Sequence, residues 1–130
     1  MLTKAFRISF LVIFILFLCG LVVAEPVKQT LKNGITVILN KDTSSPIIAV
    51  TVFVKTGVFN EKEENNGITK LVFELLLKGT KTRDAGKIAE ESESAGAYLD
   101  SDTAEDYSTV SLICIQKYFT VGLDLLSDVI

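Results

Sequence analysis

Lys70 and Glu74 stand four residues apart, with Phe73 between them, inside the long apolar run 67–77. In a helix that spacing puts ammonium and carboxylate on one face. Such a surface pair is worth only ~0.3 kcal/mol, and lysine before glutamate is the weaker order. A carboxylate can take a proton, but Phe73 beside it offers no polar atom. A second acidic group, Glu61, Glu63 and Glu64, lies just ahead of the same run. It has the composition of a metal or acid/base cluster. Its place before a helix N-terminus is already explained by the helix dipole and by solvation. Histidine is absent from all 130 residues, so no imidazole is available to bind a metal or shuttle a proton. Cys114 sits in the apolar run 110–115 and reads as a small buried hydrophobe rather than a reactive thiol.

The elements that must position these residues follow from periodicity. Ile68, Leu71, Val72, Leu75 and Leu76 recur with helical spacing, which predicts one helix over 67–80 with these five side chains buried. Asn65 or Asn66 is the expected N-cap and Gly79 the expected terminator. A second helix is expected over 84–95, capped by Asp84 and stopped by Gly96, with Ala85, Ile88, Ala89, Ser92 and Ala95 as a narrow packing face. A third, over 117–130, carries Tyr118, Val121, Leu125 and Val129 on one face. Strands are expected near 25–30, 35–40, 47–56, 98–102 and 107–115. Asn33-Gly34 signals a two-residue hairpin turn between the first two. The stretch 47–56 is apolar on both faces, as in a central strand covered on two sides or a strand at a packed interface. The last pair of strands forms an antiparallel hairpin. The order predicts an α+β fold, a mostly antiparallel sheet with helices packed on one face.

Composition narrows the classes further. With 48% hydrophobic residues a packed core is within reach. Residues 1–24 carry Lys4 and Arg7, then an apolar run of about 16 residues, shorter than the ~20 of a spanning helix. Val22-Val23-Ala24 precedes Glu25-Pro26 as at a signal-peptidase site, so 1–24 reads as a cleaved secretory signal and 25–130 as the mature domain. Two alternatives stay open: an uncleaved N-terminal anchor, and a lipoprotein signal at Cys19, where Leu18 is bulkier than usual. Export to a periplasmic or secreted location follows, with membrane contact only through an uncleaved segment. Removing the segment shifts the net charge from −3 to −5. No basic patch is present, which excludes nucleic acid as a partner. The third helix has no stop signal before Ile130, as in a chain cut inside a larger protein.

The run Gly67-Ile68-Thr69-Lys70-Leu71-Val72-Phe73-Glu74, followed by Lys78-Gly79-Thr80, resembles the zinc-site helix of the insulinase/pitrilysin metallopeptidases, which include the mitochondrial processing peptidase. Leu31-Lys32-Asn33-Gly34-Ile35-Thr36-Val37, Ser44-Ser45-Pro46, Lys78 to Arg83 and Ser94-Ala95-Gly96-Ala97 are similar to further family segments in the same order. The resemblance covers roughly 30–130 and implies that family's N-terminal domain. Its motif, Gly-apolar-x-His-x-x-Glu-His, places His, Glu and His where this chain has Lys70, Phe73 and Glu74. By that resemblance the site is degenerate: no catalytic residue, no metal ligand and no cofactor are expected here, although active relatives hold zinc. The family's substrate-facing strand, Asn-Ala-x-Thr, maps onto Asp100, Ser101, Asp102 and Thr103. A third zinc ligand of active members would fall beyond Ile130.

The resemblance implies a non-catalytic partner subunit that joins an active, zinc-bearing relative as a hetero-oligomer and helps hold a peptide or unfolded polypeptide. The alternatives are an active zinc endopeptidase of the same family and a truncated fragment with no independent role.

Overall fold

The computed structural model describes residues 25–130. The expected signal segment, 1–24, lies outside the described residues. The chain divides into two units, one ending at Ser44 and the other running from Ser45 to Ile130.

In the first unit β1 (Val27–Thr30) pairs antiparallel with β2 (Thr36–Leu39), in the register Val27↔Leu39 and Thr30↔Thr36. The hairpin is as expected but its turn is not. A two-residue Asn-Gly turn needs positive φ at both residues, and only Gly34 has it, at +87°. Gly34 N–H donates to the Leu31 carbonyl (3.0 Å), and Leu31 N–H to the Ile35 carbonyl (2.8 Å). The loop is therefore three residues, Lys32 to Gly34, with the glycine taking the left-handed position. Asn33 instead accepts from Ile35 N–H at 3.2 Å through its side chain.

The second unit is built on β5 (Ser108–Ile115), the middle strand of an antiparallel sheet ordered β3-β5-β4. β3 spans Ile47–Val54 and β4 Tyr98–Thr103. Ser108, Val110, Leu112 and Cys114 alternate along one face of β5 and are all buried, Leu112 completely. Helices cover that face: α1 (Ile68–Leu76), α2 (Ala85–Ser94) and α3 (Phe119–Val129). Leu125, Leu126 and Val129 of α3 and Ile88 of α2 supply the other side of the core. Each such side chain contributes roughly 1.5–3 kcal/mol by leaving water. The helix α3 approaches closely because residue 122 is glycine; a Cβ there would stand 3.1 Å from a Leu112 methyl and 3.3 Å from Cys114 Sγ. This is the α+β architecture expected, with helices on one face.

Several expectations are corrected. β3 is not a central strand: β5 takes that place, and β3 exposes Ile47 and Phe53 on the face away from the helices. Its apolar residues fall on both faces because Phe53 packs outward on Tyr107, ring centroids 5.7 Å apart. Gly79 does not end α1, which stops at Leu76; Gly79 instead bridges to Asp84. On α3, Leu125 and Val129 are buried as expected, but Val121 is exposed and Gly122 and Leu126 take the inner positions. Tyr118 belongs to a preceding 3-10 turn, which rotates the helix start. In contrast, Asp84 does cap α2, accepting from Lys87 N–H at 2.8 Å, and Gly96, at φ +54°, ends it. Cys114 is buried, and burial pushes its thiol pKa up. Among the described residues no helix is long and apolar enough to cross a membrane.

Candidate functional site

The largest correction concerns the face of α1. Ile68, Leu71, Val72 and Leu75, expected inside, are about half exposed. Phe73 is buried at 6% and joins the core, with Leu76 and Leu77 packed beside it. Six of the nine residues of this helix are apolar, and the stripe that periodicity selects is not the one that packing buries. The aromatic ring, the largest side chain in the run, takes the interior position. The helix lies against β4 and β5.

Its N-terminus is held by neither Asn65 nor Asn66. Glu61 reaches across the loop, and its carboxylate accepts from Gly67 N–H (2.7 Å) and Thr69 N–H (2.8 Å). These bonds hold the Glu61 carboxyl below its ordinary range. One acid of the Glu61–Glu64 cluster is thus a helix cap, and Asn65 is used locally, accepting from Lys62 N–H at 2.6 Å. Gly67 takes φ +89°, a left-handed turn into the helix that a side chain would resist.

Lys70 and Glu74 point outward, with side chains 72% and 57% exposed and 3.9 Å apart. They are a solvated surface pair. Phe73, beside them on the helix, packs into the core. A zinc hydrolase centre needs neutral nitrogen ligands and a carboxylate that meets water. A cation, a buried ring and a solvated carboxylate do not fit that group. Among the described residues no three His, Cys, Asp or Glu side chains come together to hold a metal ion.

The expected substrate strand lies beside this helix. Asp100, Ser101, Asp102 and Thr103 occupy β4, paired with Ser111, Val110, Thr109 and Ser108 of β5. Asp100 and Asp102 are exposed, and Ser101 and Thr103 half-buried. Thr103 is tied into the fold: the buried Ser108 hydroxyl lies 3.3 Å from Thr103 Oγ1 and donates to the Thr56 carbonyl at 2.8 Å. Among the described residues the outer edge of β4 carries no further strand. A shallow groove of about 350 Å³ runs beside the start of β4, lined in part by Leu77, Ala85, Ile88, Ala89 and Leu99.

One cluster escaped the sequence reading. Arg83, only 18% exposed, donates from Nε to Glu91 (2.9 Å), from Nη1 to Asp128 (2.8 Å) and from Nη2 to Asp124 (2.6 Å). Thr80 and Thr82 hydroxyls also donate to Asp128, at 2.7 and 2.8 Å. The Lys78-Gly79-Thr80-Lys81-Thr82-Arg83 loop after α1 is thereby locked to α2 and α3. These bonds push the Arg83 pKa up; the Arg83 bond, then those of Thr80 and Thr82, hold the Asp128 carboxyl down. The available signal was Asp124 and Asp128 at helical spacing, opposite a lone arginine in a threonine-rich loop.

Comparison with known proteins decides the family. The profile of the insulinase family, peptidase family M16, matches residues 36–130. This chain is a member of that family. It is 31% identical over 108 residues to cytochrome b-c1 complex subunit 1 of Bos taurus, covering 83% of this chain and 22% of that protein. The beta subunit of the mitochondrial processing peptidase of Caenorhabditis elegans is 30% identical, covering 83% and 23%. A zinc protease of Bacillus subtilis is 28% identical, covering 78% and 25%. Among solved structures, an inactive M16 peptidase domain from Pseudomonas fluorescens superposes with a TM-score of 0.75 at 19% identity, over 82% of this chain and 26% of that one. A Helicobacter pylori protease gives 0.73 at 25% identity, over 81% and 25%. The chain spans about a quarter of the length of these relatives.

Proposed function

We propose that this chain is a non-catalytic member of the insulinase family, a partner subunit that helps hold a peptide or unfolded polypeptide for an active, zinc-bearing relative. The observation that carries this is Phe73. Where the family motif has the proton-accepting Glu, this chain buries an aromatic ring, and it has no histidine at the flanking ligand positions. Support also comes from the family's membership, which includes subunits of larger assemblies and a domain described as inactive.

Holding a peptide needs no catalytic side chain. The outer edge of β4 offers backbone N–H and C=O groups to an added strand, and the neighbouring groove accommodates an apolar side chain. Asp100 and Asp102, exposed on this strand, favour a basic segment. The 1–24 segment, read as a secretory signal, supports a periplasmic or secreted setting for this binding role.

The test is the metal content and peptidase activity of the purified full-length protein. The reading expects less than a tenth of an equivalent of zinc and no cleavage of an unfolded polypeptide. One equivalent of zinc with zinc-dependent cleavage overturns it in favour of an active endopeptidase.

A further inference from the structure

We propose that β4 selects a bound strand by register. An added antiparallel strand is accepted when it places an apolar side chain opposite Leu99 and basic side chains opposite Asp100 and Asp102. From N- to C-terminus its order is basic, any residue, basic, apolar. This rests on the binding role stated above and deepens it, by naming the sequence class that the strand takes.

Alternation along β4 sets the two halves of the pattern. Successive side chains of a strand point to opposite faces. Leu99, Ser101 and Thr103 share one face and are half-buried; Tyr98, Asp100 and Asp102 share the other and are exposed. Leu99 packs against the core, so the first set faces the helices. A residue paired beside β4 points to the same face as its partner. The residue opposite Leu99 therefore points to the helix side, where the groove of about 350 Å³ lies against the start of β4. Ala85 and Ala89 of α2 are too small to fill that groove, and Leu77, Ile88 and Leu99 make it apolar. Tyr98 lines it as well, so it reaches both faces of the strand at its start. On the far face Asp100 and Asp102 stand two residues apart, about 7 Å. Their partners on β5, Ser111 and Thr109, carry no charge. Among the described residues neither acid meets a cation. Two like charges on one face repel, and cations at the same spacing relieve them. Residues opposite Asp100 and Asp102 on an added strand have that spacing. Antiparallel addition continues the order of the sheet, in which both pairings are antiparallel, and such ladders are the stronger kind per residue.

The experiment measures binding of short dye-labelled peptides to the full-length protein by fluorescence anisotropy. The parent peptide is a threonine-rich strand former carrying lysine, threonine, lysine and leucine in that order. A second peptide holds the same residues shuffled, a third has alanine for the leucine, and a fourth has glutamine for both lysines. The parent is expected to bind roughly tenfold more tightly than the shuffled peptide, from the burial of one leucine. Ala89→Trp fills the groove from an exposed position. It is expected to weaken the parent about tenfold and the alanine peptide less than about twofold. D100N/D102N is expected to weaken the parent about threefold or more at low salt, less at high salt, and to leave the glutamine peptide unchanged. Equal affinity for parent and shuffled peptides overturns the register and leaves the binding role standing. So does an A89W variant that loses the alanine peptide as severely as the parent. A folded wild-type protein that binds none of the peptides defeats the binding role itself, and the register with it.

Discussion

At the residue scale, the side chains with the most chemistry are used for structure. Arg83 makes three ion pairs, to Glu91, Asp124 and Asp128, and holds a loop that joins α1 to α2. Arg83→Lys keeps the charge and loses the fork of donors, so it is expected to lower Tm in thermal denaturation, and Arg83→Ala to lower it further. Asp128 sets a pH dependence. Its folded pKa lies below the ordinary carboxylate value, so its contribution is fully present above that value and is lost as pH falls through the depressed one. Unfolding titrations between pH 2 and 7 are expected to show a steep loss of stability below about pH 4, and Asp128→Asn to flatten that slope. Lys70→Met is the counter-case. The pair with Glu74 is solvated, so the substitution is expected to change stability by less than ~0.5 kcal/mol. These roles were unevenly legible. Asp84 announced itself as a cap by its place before an apolar-periodic run. Glu61 did not, because its two backbone partners lie six and eight residues ahead, across a loop whose path only the fold fixes.

At the element scale, β5 organises the larger unit. Every second residue from Ser108 to Cys114 is buried under the helices. Leu112→Ala leaves a hole at a fully buried site between β5 and Gly122 of α3, and is expected to cost about 2–5 kcal/mol in chemical denaturation. Gly57 makes a second demand. A Cβ there would lie 2.6 Å from the carbonyl oxygens of Ala104 and Glu105, to which Val58 and Phe59 N–H groups donate. Gly57→Ala forces the segment after β3 away from the β4–β5 turn, and is expected to destabilise by about 1–3 kcal/mol. The β4–β5 hairpin, the second helix with both its caps, and the fold class were readable from alternation and turn chemistry. The inward face of α1 was not. Ile68, Leu71, Val72, Leu75 and Leu76 form a better helical stripe than Phe73 with its neighbours, and tertiary packing chose the ring. The place of β3 was hidden for a related reason: an apolar run looks the same whether both faces are covered or one carries an outward Phe53.

At the scale of the whole molecule, the chain keeps the frame of the insulinase family. The loop from Lys78 to Arg83 still joins the helices, and β4 still lies beside α1. On the proposed reading, a surface ion pair and a core aromatic stand where the family's motif has its ligands and base. The candidate site was legible in the sequence as a set of departures from that motif. Its meaning came from packing, since burial separates Phe73 from Lys70 and Glu74. The proposed role is binding, and the edge of β4 with its apolar groove is the surface proposed for it. The most direct measurement is an affinity pull-down of the full-length protein from its own cells, with mass spectrometry of what accompanies it. The account predicts recovery of a family member carrying an intact His-x-x-Glu-His motif, in near-equal amount. A soluble, folded bait that brings down no such relative would contradict the partner-subunit assignment.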